Sequence, residues 1–288
     1  MKPIYTKILE GFTIETFGTK EVVQPTFSTE FHFHKECQLT YIVQSEGKRI
    51  VGDSVDSFTS EELTFLGADL PHVWHNGKNY KDNFINSRSM ALYLNIESLL
   101  VLFSELFPTQ QLTDFFLRAR RGMIFYGCTK LKLIALLKEI VRLDNSIKKV
   151  VKLLEILDLL SLTTEYRYLS SAGYINNYNK TDNDLLDKIF KYIFDNYSSE
   201  ISLITAANMC NMSKHSFCRF FKRRTSKTFM EFVNEVRISE SCKQIAIDKF
   251  QISNIAYACG FNSLSNFNRT FKTIKGLSPT EYRRKILM

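Results

Sequence analysis

Three histidines are spaced so that they could bind a metal ion or a small molecule. His32 and His34 alternate within a β-rich segment, so their side chains project from the same face of a strand. His72 follows in "PHVWHNG" and can join them from a later strand. Three converging imidazoles suit Zn, Mn or Fe. Alternatively, His32, His34, His72 and Trp74 line a ligand pocket, where an aromatic ring suits a sugar, or they pack structurally.

Two short stretches of the C-terminal third resemble each other and carry residue types that read DNA. "NMSKHSFCRFFK" occupies residues 211–222 and "GFNSLSNFNRTFK" occupies residues 260–272. In the major groove, Arg pairs with guanine and Asn with adenine, while Lys and Ser contact phosphates. The predicted DNA-contacting residues are Lys214, His215, Ser216, Arg219, Lys222, Ser263, Ser265, Asn266, Asn268, Arg269 and Lys272.

The basic charge of the chain is concentrated in the same region. Residues 1–200 carry 23 Lys and Arg against 25 Asp and Glu, a net charge of −2. Residues 201–288 carry 15 against 5, a net charge of +10. Such a segment favours a polyanionic partner, and nucleic acid before a membrane surface.

Short helices must position both stretches. Ser202 and Ser213 are suited to cap two successive helices, and Asn211 is suited to the left-handed turn between them. In the second copy, we expect Ser253 to cap the first helix and Gly260 to form the turn. A long amphipathic helix between the copies would hold two recognition helices in successive major grooves, about 34 Å apart.

The remainder of the chain changes its pattern twice. Residues 1–90 show β-rich segments, including "QLTYIVQSEGKRIVG" with a hairpin-type turn at Glu46–Gly47, and predict a small barrel or sandwich. Residues 97–168 have helical periodicity. Residues 170–184 are rich in Ser, Asn and Asp and predict an interdomain linker.

An apolar stripe on the second of the long middle helices has two interpretations. Leu153, Leu157 and Leu160 lie on one face at helical spacing. The stripe either packs against the strands or forms the interface of a homodimer, since two short helices cannot bury both apolar faces alone.

Several classes of protein are disfavoured by what the sequence omits. The six cysteines form no C-x-x-C pair, and no window holds 18 uninterrupted apolar residues. The N-terminus lacks the apolar run of a signal peptide. There is no P-loop, nucleotide-binding glycine fingerprint, G-x-S-x-G or H-E-x-x-H motif. These patterns predict a soluble cytoplasmic protein that is not an enzyme.

The C-terminal motifs resemble those of the AraC/XylS transcription regulators. The resemblance rests on "RIS", "IAYACGFNSLSNFNRTFK" and "GLSPTEYR" and covers residues 184–286. It implies a seven-helix DNA-binding domain with two helix-turn-helix units joined by a linker helix, and RNA polymerase as a partner. Two positions depart from the pattern: Ser226 stands where Gly276 stands in the second unit, and Ser241 stands where Ala is usual.

The N-terminal motifs resemble the cupin-like barrel found ahead of such regulators. The matching elements are His32 and His34, Gly47, Gly52–Asp53 and Gly67 before Pro71–His72. Enzymatic cupins carry a carboxylate shortly after the H-x-H pair. Here Glu36 comes too early and Gln38 follows it, so we expect a ligand pocket without a metal or other cofactor.

Together these patterns predict an α+β chain: a cupin-like β-barrel plus helices, followed by an all-α domain with two helix-turn-helix units. The predicted divisions are a sensing barrel at 1–95, a helical dimerisation or packing region at 96–169, a linker at 170–183 and the DNA-binding domain at 184–288. The predicted function is a sequence-specific transcriptional regulator, expected to be an activator, that responds to a small molecule. The alternative is a cupin metalloenzyme fused to a DNA-binding domain.

Overall fold

Two compact units make up the chain, one mainly from residues 3–176 and the other mainly from 177–288. The computed structural model describes residues 4–5, 9, 16–27, 31–76, 86–144, 146–172, 174, 183–225 and 227–287. The described residues up to 174 form two β-sheets and helices, whereas the described residues from 183 onwards are helical. The mixed α and β composition and the helical C-terminal unit are as predicted. Residues 173 and 175–182, most of the predicted linker, lie outside the described residues.

The strands of the first unit form two sheets. In chain order they are β1 Ile4–Tyr5, β2 Phe17–Gln24, β3 His32–Phe33, β4 Cys37–Gln44, β5 Gly47–Val51, β6 Ser54–Phe58, β7 Leu63–Leu66, β8 His72–His75, β9 Ser87–Leu94, β10 Met123–Phe125 and β11 Tyr166–Tyr168. The larger sheet has the order β11-β10-β7-β4-β9-β2, and the smaller one β1-β3-β8-β5-β6. Neither β10 nor β11 was foreseen from the sequence, because both lie within the region of helical periodicity.

Each face of the larger sheet packs against a different layer. On β4, Leu39 and Tyr41 belong to the core that the helices share. Gln38 and Ile42 point to the opposite face: Gln38 bonds to His34, and Ile42 packs in a second core with Trp74. This alternation, with a period of two, sends polar as well as apolar side chains into the space between the sheets.

The expected hairpin turn at Glu46–Gly47 is wrong, although both flanking strands form. β4 ends at Gln44 in the larger sheet, and β5 begins at Gly47 in the smaller one, so this corner moves the chain from one sheet to the other. Gly47 is required there because a Cβ atom would lie 2.1 Å from the carbonyl oxygen of His75. The hairpin instead joins β5 to β6 through Gly52, whose φ is +58°.

Four helices cover the outer face of the larger sheet. They are α1 Ile96–Ser104, α2 Gln110–Ala119, α3 Gly127–Arg142 and α4 Ile147–Leu162. Their buried side chains, such as Phe115 and Leu137, share one core with Leu39 and Phe65 of the sheet. The helices and the larger sheet therefore bury a common apolar surface, which is the main stabilising term for such a layer.

The leucine stripe on α4 packs inside this core and is wrong as a dimer surface. Leu153, Leu157 and Leu160 are each at most 2% exposed and lie among the core residues. The exposed apolar side chains of α4 are instead Ile147, Val150, Val151, Leu154 and Leu162.

Seven helices occupy the described part of the second unit. They are α5 Asn183–Asn196, α6 Leu203–Met209, α7 Lys214–Thr225, α8 Phe229–Ile247, α9 Ile252–Ala258, α10 Leu264–Lys275 and α11 Pro279–Leu287. The long α8 begins with a capping box between Thr228 and Glu231 and contacts α5, α7, α9, α10 and α11. The predicted linker helix thus lies at the centre of this unit.

Two sequence details of this unit have structural outcomes. Ser253 is not the cap of α9, because Gln251 is the N-cap residue and its carbonyl already accepts the first helical bond, from Ile255. Ser241 is fully buried and satisfies its hydroxyl by donating to the carbonyl of Ile238 at 2.8 Å. Ser226 lies outside the described residues.

The described helices do not include one that is both long and apolar enough to cross a membrane.

Candidate nucleic-acid interface and histidine cluster

The first helix-turn-helix unit consists of α6, a tight turn and α7. Ser202 accepts a hydrogen bond from the backbone N–H of Thr205 and caps α6. Asn211 has a φ of +53°, the left-handed conformation that Asn tolerates better than most residues. Ser213 accepts from the backbone N–H of Ser216 at 3.3 Å and caps α7. All three predicted roles are therefore confirmed.

The second helix-turn-helix unit repeats this backbone plan with α9 and α10. Gly260 occupies the turn with a φ of +85°, and Ser263 caps α10 by accepting from the N–H of Asn266. The first residue after each left-handed position donates to an equivalent alanine: Met212 to Ala207 at 3.0 Å and Phe261 to Ala256 at 3.1 Å. The sequence repeat is thus a structural repeat, down to single backbone bonds.

Aromatic rings fix each second helix on its support in the same way. Phe221 meets Phe232 edge-on at 5.6 Å, and the matching Phe271 meets Tyr282 edge-on at 5.4 Å. Edge-to-face contacts at this separation are favourable, and they orient a helix about its axis as well as holding it in place. One face of α7 and of α10 is therefore buried, which leaves the opposite face in solvent.

The predicted DNA-contacting residues lie on this solvent face. Ser216 is half-buried, and the other ten are exposed: Lys214, His215, Arg219, Lys222, Ser263, Ser265, Asn266, Asn268, Arg269 and Lys272. The five predicted residues between 214 and 222 thus lie on α7, and the six between 263 and 272 lie on α10 and its N-cap.

The two exposed faces differ in chemistry. On α10, the guanidinium of Arg269 donates to the side-chain oxygen of Asn266 at 3.2 Å, so these two base-reading residue types are held together. On α7, basic residues extend beyond the predicted set to Arg223, which is exposed in the last turn. The run "FKRRT" signals this extra charge, but sequence reasoning stopped at Lys222.

A buried arginine ties the two helix-turn-helix units together. Arg237 of α8 is 8% exposed and donates to the carbonyls of Tyr197 at 2.8 Å and Ser199 at 3.0 Å. Its guanidinium also lies 5.7 Å from the ring of Phe261, in the second turn. Burial lowers the pKa of Arg237, but an arginine remains charged at neutral pH. The loop before α6 and the turn before α10 thus share one anchor.

The three predicted histidines of the first unit come together between the sheets. His32 lies directly opposite His72 in the β3–β8 pair, and their ring centroids are 4.3 Å apart. The ring of His34 lies 5.1 Å from that of His72. Trp74, two residues along β8 from His72, completes the group with a ring separation of 5.6 Å.

Burial keeps two of these imidazoles neutral. His34 and His72 are each 1% exposed. Burial lowers the pKa of both, and for His72 the neighbouring His32 and His34 lower the pKa further. Backbone bonds hold the rings: His34 Nδ1 lies 2.8 Å from the carbonyl of Glu36, and His72 Nδ1 lies 2.7 Å from the carbonyl of Leu70.

Several buried polar atoms near this group lack a hydrogen-bond partner among the described residues. They include His72 Nε2, Trp74 Nε1 and the hydroxyl of Thr64, on β7. Thr64 lies opposite Thr40, and Thr40 shares a hydrogen bond with Gln38. Unpaired buried polar atoms cost roughly 1–3 kcal/mol each, so their concentration in one place calls for a bound partner. The inward alternation of β4 could have indicated Gln38 from the sequence.

Comparisons with known proteins identify a domain type within the C-terminal compact unit. A family model described as a helix-turn-helix domain matches residues 206–285. The chain is 24% identical over 152 residues to an uncharacterized HTH-type transcriptional regulator, YdeC, of Bacillus subtilis (strain 168), covering 52% of each chain. It is 26% identical over 101 residues to the MmsAB operon regulatory protein of Pseudomonas aeruginosa, covering 35% of this chain and 33% of that one. The chain thus spans about half the length, or less, of these curated relatives.

Among solved structures, ToxT from Vibrio cholerae is 17% identical and covers 93% of this chain and 98% of its own, with a TM-score of 0.35. A score this low does not establish a shared fold.

Proposed function

We propose that this chain, whose residues 206–285 are an AraC-type helix-turn-helix domain, is a sequence-specific transcriptional regulator that responds to a small molecule. The observation that carries the proposal is the doubled helix-turn-helix unit with a polar, basic face on each second helix. One such face suits a major groove, and two suit an extended operator. The +10 charge of residues 201–288 supplies the attraction to phosphates.

Replacing the matched arginines tests this proposal. If Arg219 and Arg269 each pair with a guanine, Arg219→Ala and Arg269→Ala should each weaken binding by about 1–3 kcal/mol and relax base preference at a different half-site. Lys249→Ala is the control, because Lys249 is exposed and lies outside α7 and α10. Selection of bound sequences by the full chain and each variant is the measurement. Equal weakening on every sequence would assign the arginines to phosphates instead.

The salt dependence of binding tests the electrostatic part separately. Each phosphate contact releases counterions, so the affinity of the full chain should fall steeply between 50 and 200 mM salt, by about 10³-fold for six contacts. An affinity that stays flat over this range would contradict DNA binding through these basic faces.

We further propose that the effector binds between the sheets of the first unit, in a cupin-like barrel. Support comes from the orphaned Trp74 Nε1 and Thr64 hydroxyl, which could bond to a polar ligand such as a sugar. His32, His34, His72 and Trp74 are the proposed wall of this site. Ligand binding can change DNA affinity only if the ligand prefers one of two states of the protein.

The single tryptophan gives a direct assay for the effector. Titration of the full chain with a panel of sugars and other polar metabolites should change the fluorescence of Trp74 when a member binds. Thr64→Val keeps the volume but removes the hydroxyl, so it should weaken that response while leaving DNA binding unchanged. An unaltered response in Thr64→Val would move the binding site elsewhere.

The proposed partners include a second copy of the chain and RNA polymerase. The dimer surface is the exposed side of α4, where Ile147, Val150, Val151 and Leu154 lie together. A charge placed there should disrupt a dimer, so Val151→Glu should sediment as a monomer. Leu131→Glu, at an exposed position on α3 away from this surface, should not. RNA polymerase is proposed as a partner from the family resemblance alone. Because the proposed partner is DNA, we also propose that the protein is cytoplasmic.

A further inference from the structure

We propose that His32, His34 and His72 bind a divalent transition-metal ion, Zn²⁺, Ni²⁺ or Co²⁺, with the side-chain oxygen of Gln38 as an additional donor. Each imidazole offers one nitrogen, and these three atoms lie within 4.8 Å of one another. Metal–nitrogen bonds of about 2.1 Å require donors roughly 3.0–3.4 Å apart. Small rotations of the side chains close this difference. The proposal does not depend on DNA binding.

The outer hydrogen bonds present the correct nitrogens to the ion. The carbonyls of Leu70 and Glu36 can only accept, so the Nδ1 atoms of His72 and His34 carry the protons. Each Nε2 atom then has a free lone pair. Metal-binding histidines usually have this arrangement, in which a backbone carbonyl fixes the tautomer and the direction of the ring.

His72 supplies an independent sign of a missing partner. Its side chain is 1% exposed, yet Nε2 has no hydrogen-bond partner among the described residues. A buried nitrogen lone pair left unpaired costs about 1–3 kcal/mol. A cation at the centre of the cluster would remove that cost.

Gln38 offers a fourth donor to the same centre. Its amide nitrogen donates to the hydroxyl of Thr40 at 2.5 Å, which leaves its oxygen 3.1 Å from His34 Nε2. With the proton of His34 on Nδ1, the lone pair of Nε2 faces the Gln38 side chain, whose amide can turn either its nitrogen or its oxygen inward. With the oxygen inward, a metal ion can accept a lone pair from Gln38 Oε1 and one from His34 Nε2 at once.

The donor set selects the kind of ion. The cluster contains three imidazoles and no thiolate or carboxylate ligand among the described residues. Imidazole suits Zn²⁺ and other divalent transition metals such as Fe²⁺, Ni²⁺ and Co²⁺, whereas Mg²⁺ and Ca²⁺ require oxygen ligands. Glu36 lies just outside: its Oε2 is 3.6 Å from His34 Nδ1 and has no hydrogen-bond partner in the part of the chain that the structure describes. This carboxylate offsets part of the positive charge that the ion brings.

The test is metal binding by the full chain, stripped with a chelator and titrated with CoCl₂ or ZnCl₂. Calorimetry and the metal content after desalting should both give one equivalent. Because the His72 and Trp74 rings are 5.6 Å apart, bound Co²⁺ should quench the fluorescence of the only tryptophan, and excess Zn²⁺ should reverse the quenching.

Two histidines of the same strand form the matched pair of variants. His72→Gln should lose the equivalent of metal and the quenching. His75→Gln should keep both, because His75 is three residues along β8 and outside the cluster. If His72→Gln fails to fold, as judged by circular dichroism, His32→Gln replaces it, since His32 is only half-buried.

Substoichiometric binding by the wild type, or equal binding by the wild type and the cluster variants, would overturn the proposal. None of these measurements uses DNA or an effector, so failure here leaves the proposed regulatory function standing. Conversely, a chain that binds metal but no DNA would retain the site and lose the function.

Discussion

Replacing Gly260 by alanine should destabilise the second helix-turn-helix unit far more than replacing Gly276. Both glycines are left-handed, with φ values of +85° and +74°. An added Cβ at Gly276 meets nothing within 4 Å. At Gly260 it would lie 2.4 Å from the carbonyl oxygen of Tyr197 and 3.0 Å from Nε of Arg237. The pair therefore separates the cost of the backbone conformation from the cost of the close approach.

The magnitude follows from the contacts. Left-handed backbone costs alanine about 1–2 kcal/mol at either position. At Gly260 the carbonyl of Tyr197 must also move away, which breaks its 2.8 Å bond from Arg237. A hydrogen bond to a charged group contributes roughly 1.5–3 kcal/mol. Gly276→Ala should thus lose about 1–2 kcal/mol and Gly260→Ala about 2.5–5 kcal/mol. The smaller entropy of the unfolded alanine chain is common to both variants and cancels in the comparison.

Urea unfolding with two probes measures this difference. Trp74, the only tryptophan, lies in the first unit, so its fluorescence reports that unit. Far-ultraviolet circular dichroism reports the helices of both units. Gly260→Ala should shift the dichroism transition and leave the fluorescence midpoint unchanged. Equal shifts for the two variants would refute the argument, because the close approach at Gly260 would then contribute nothing.

The remaining predictions concern single contacts. The backbone N–H of Thr129 donates to the carboxylate of the half-buried Glu165 and lowers its pKa from the usual value of about 4.5. Glu165→Gln should therefore lower the stability of the first unit above that pH, and the difference from wild type should vanish as pH falls through the lowered pKa. Urea titrations from pH 7 to pH 3 test this. Burial raises the pKa of the Cys37 thiol, whereas Cys218 is exposed on α7. Alkylation followed by mass spectrometry should label Cys218 and spare Cys37 in the folded chain.

The helix-turn-helix units were the most predictable part of the fold, because local residues specify them. Caps such as Ser202 and Ser263, and left-handed positions such as Asn211 and Gly260, act within a few residues of the chain. The failure at Ser253 has the same local origin. Its predicted role came from the match with the first unit, but the helix starts at Ile252, where the backbone of Gln251 already accepts.

The first unit was harder to predict because its organisation is set by distant contacts. β10 holds three residues and pairs with β7, nearly 60 positions away, so no periodicity could reveal it. For the same reason the turn at Glu46–Gly47 was predicted to be a hairpin. The residue preferences of a two-residue loop do not show which sheet the next strand joins.

The candidate sites followed the same division. The exposed face of α10 could be predicted, since helical spacing fixes which side chains share a face. The alternation of His32 and His34 likewise indicated a shared strand face. The partnership with Gln38 could not be predicted, because it depends on two sheets meeting. The lack of a hydrogen-bond partner for His72 Nε2 among the described residues could not be predicted either, because it depends on all the side chains that surround the ring.

After the helices, the chain returns to the larger sheet as β10 and β11, and this determines which fragments of the N-terminal unit can fold. β10 covers the side of β7 that β4 leaves open, and β11 covers β10 in turn. A fragment ending after α1 would expose the backbone donors and acceptors of β7, whose residues Leu63–Leu66 are all buried. A bare strand of this kind pairs readily with another chain and promotes aggregation. Fragments made to study the effector or the metal should therefore run past Tyr168, so that the helices between the strands come with them.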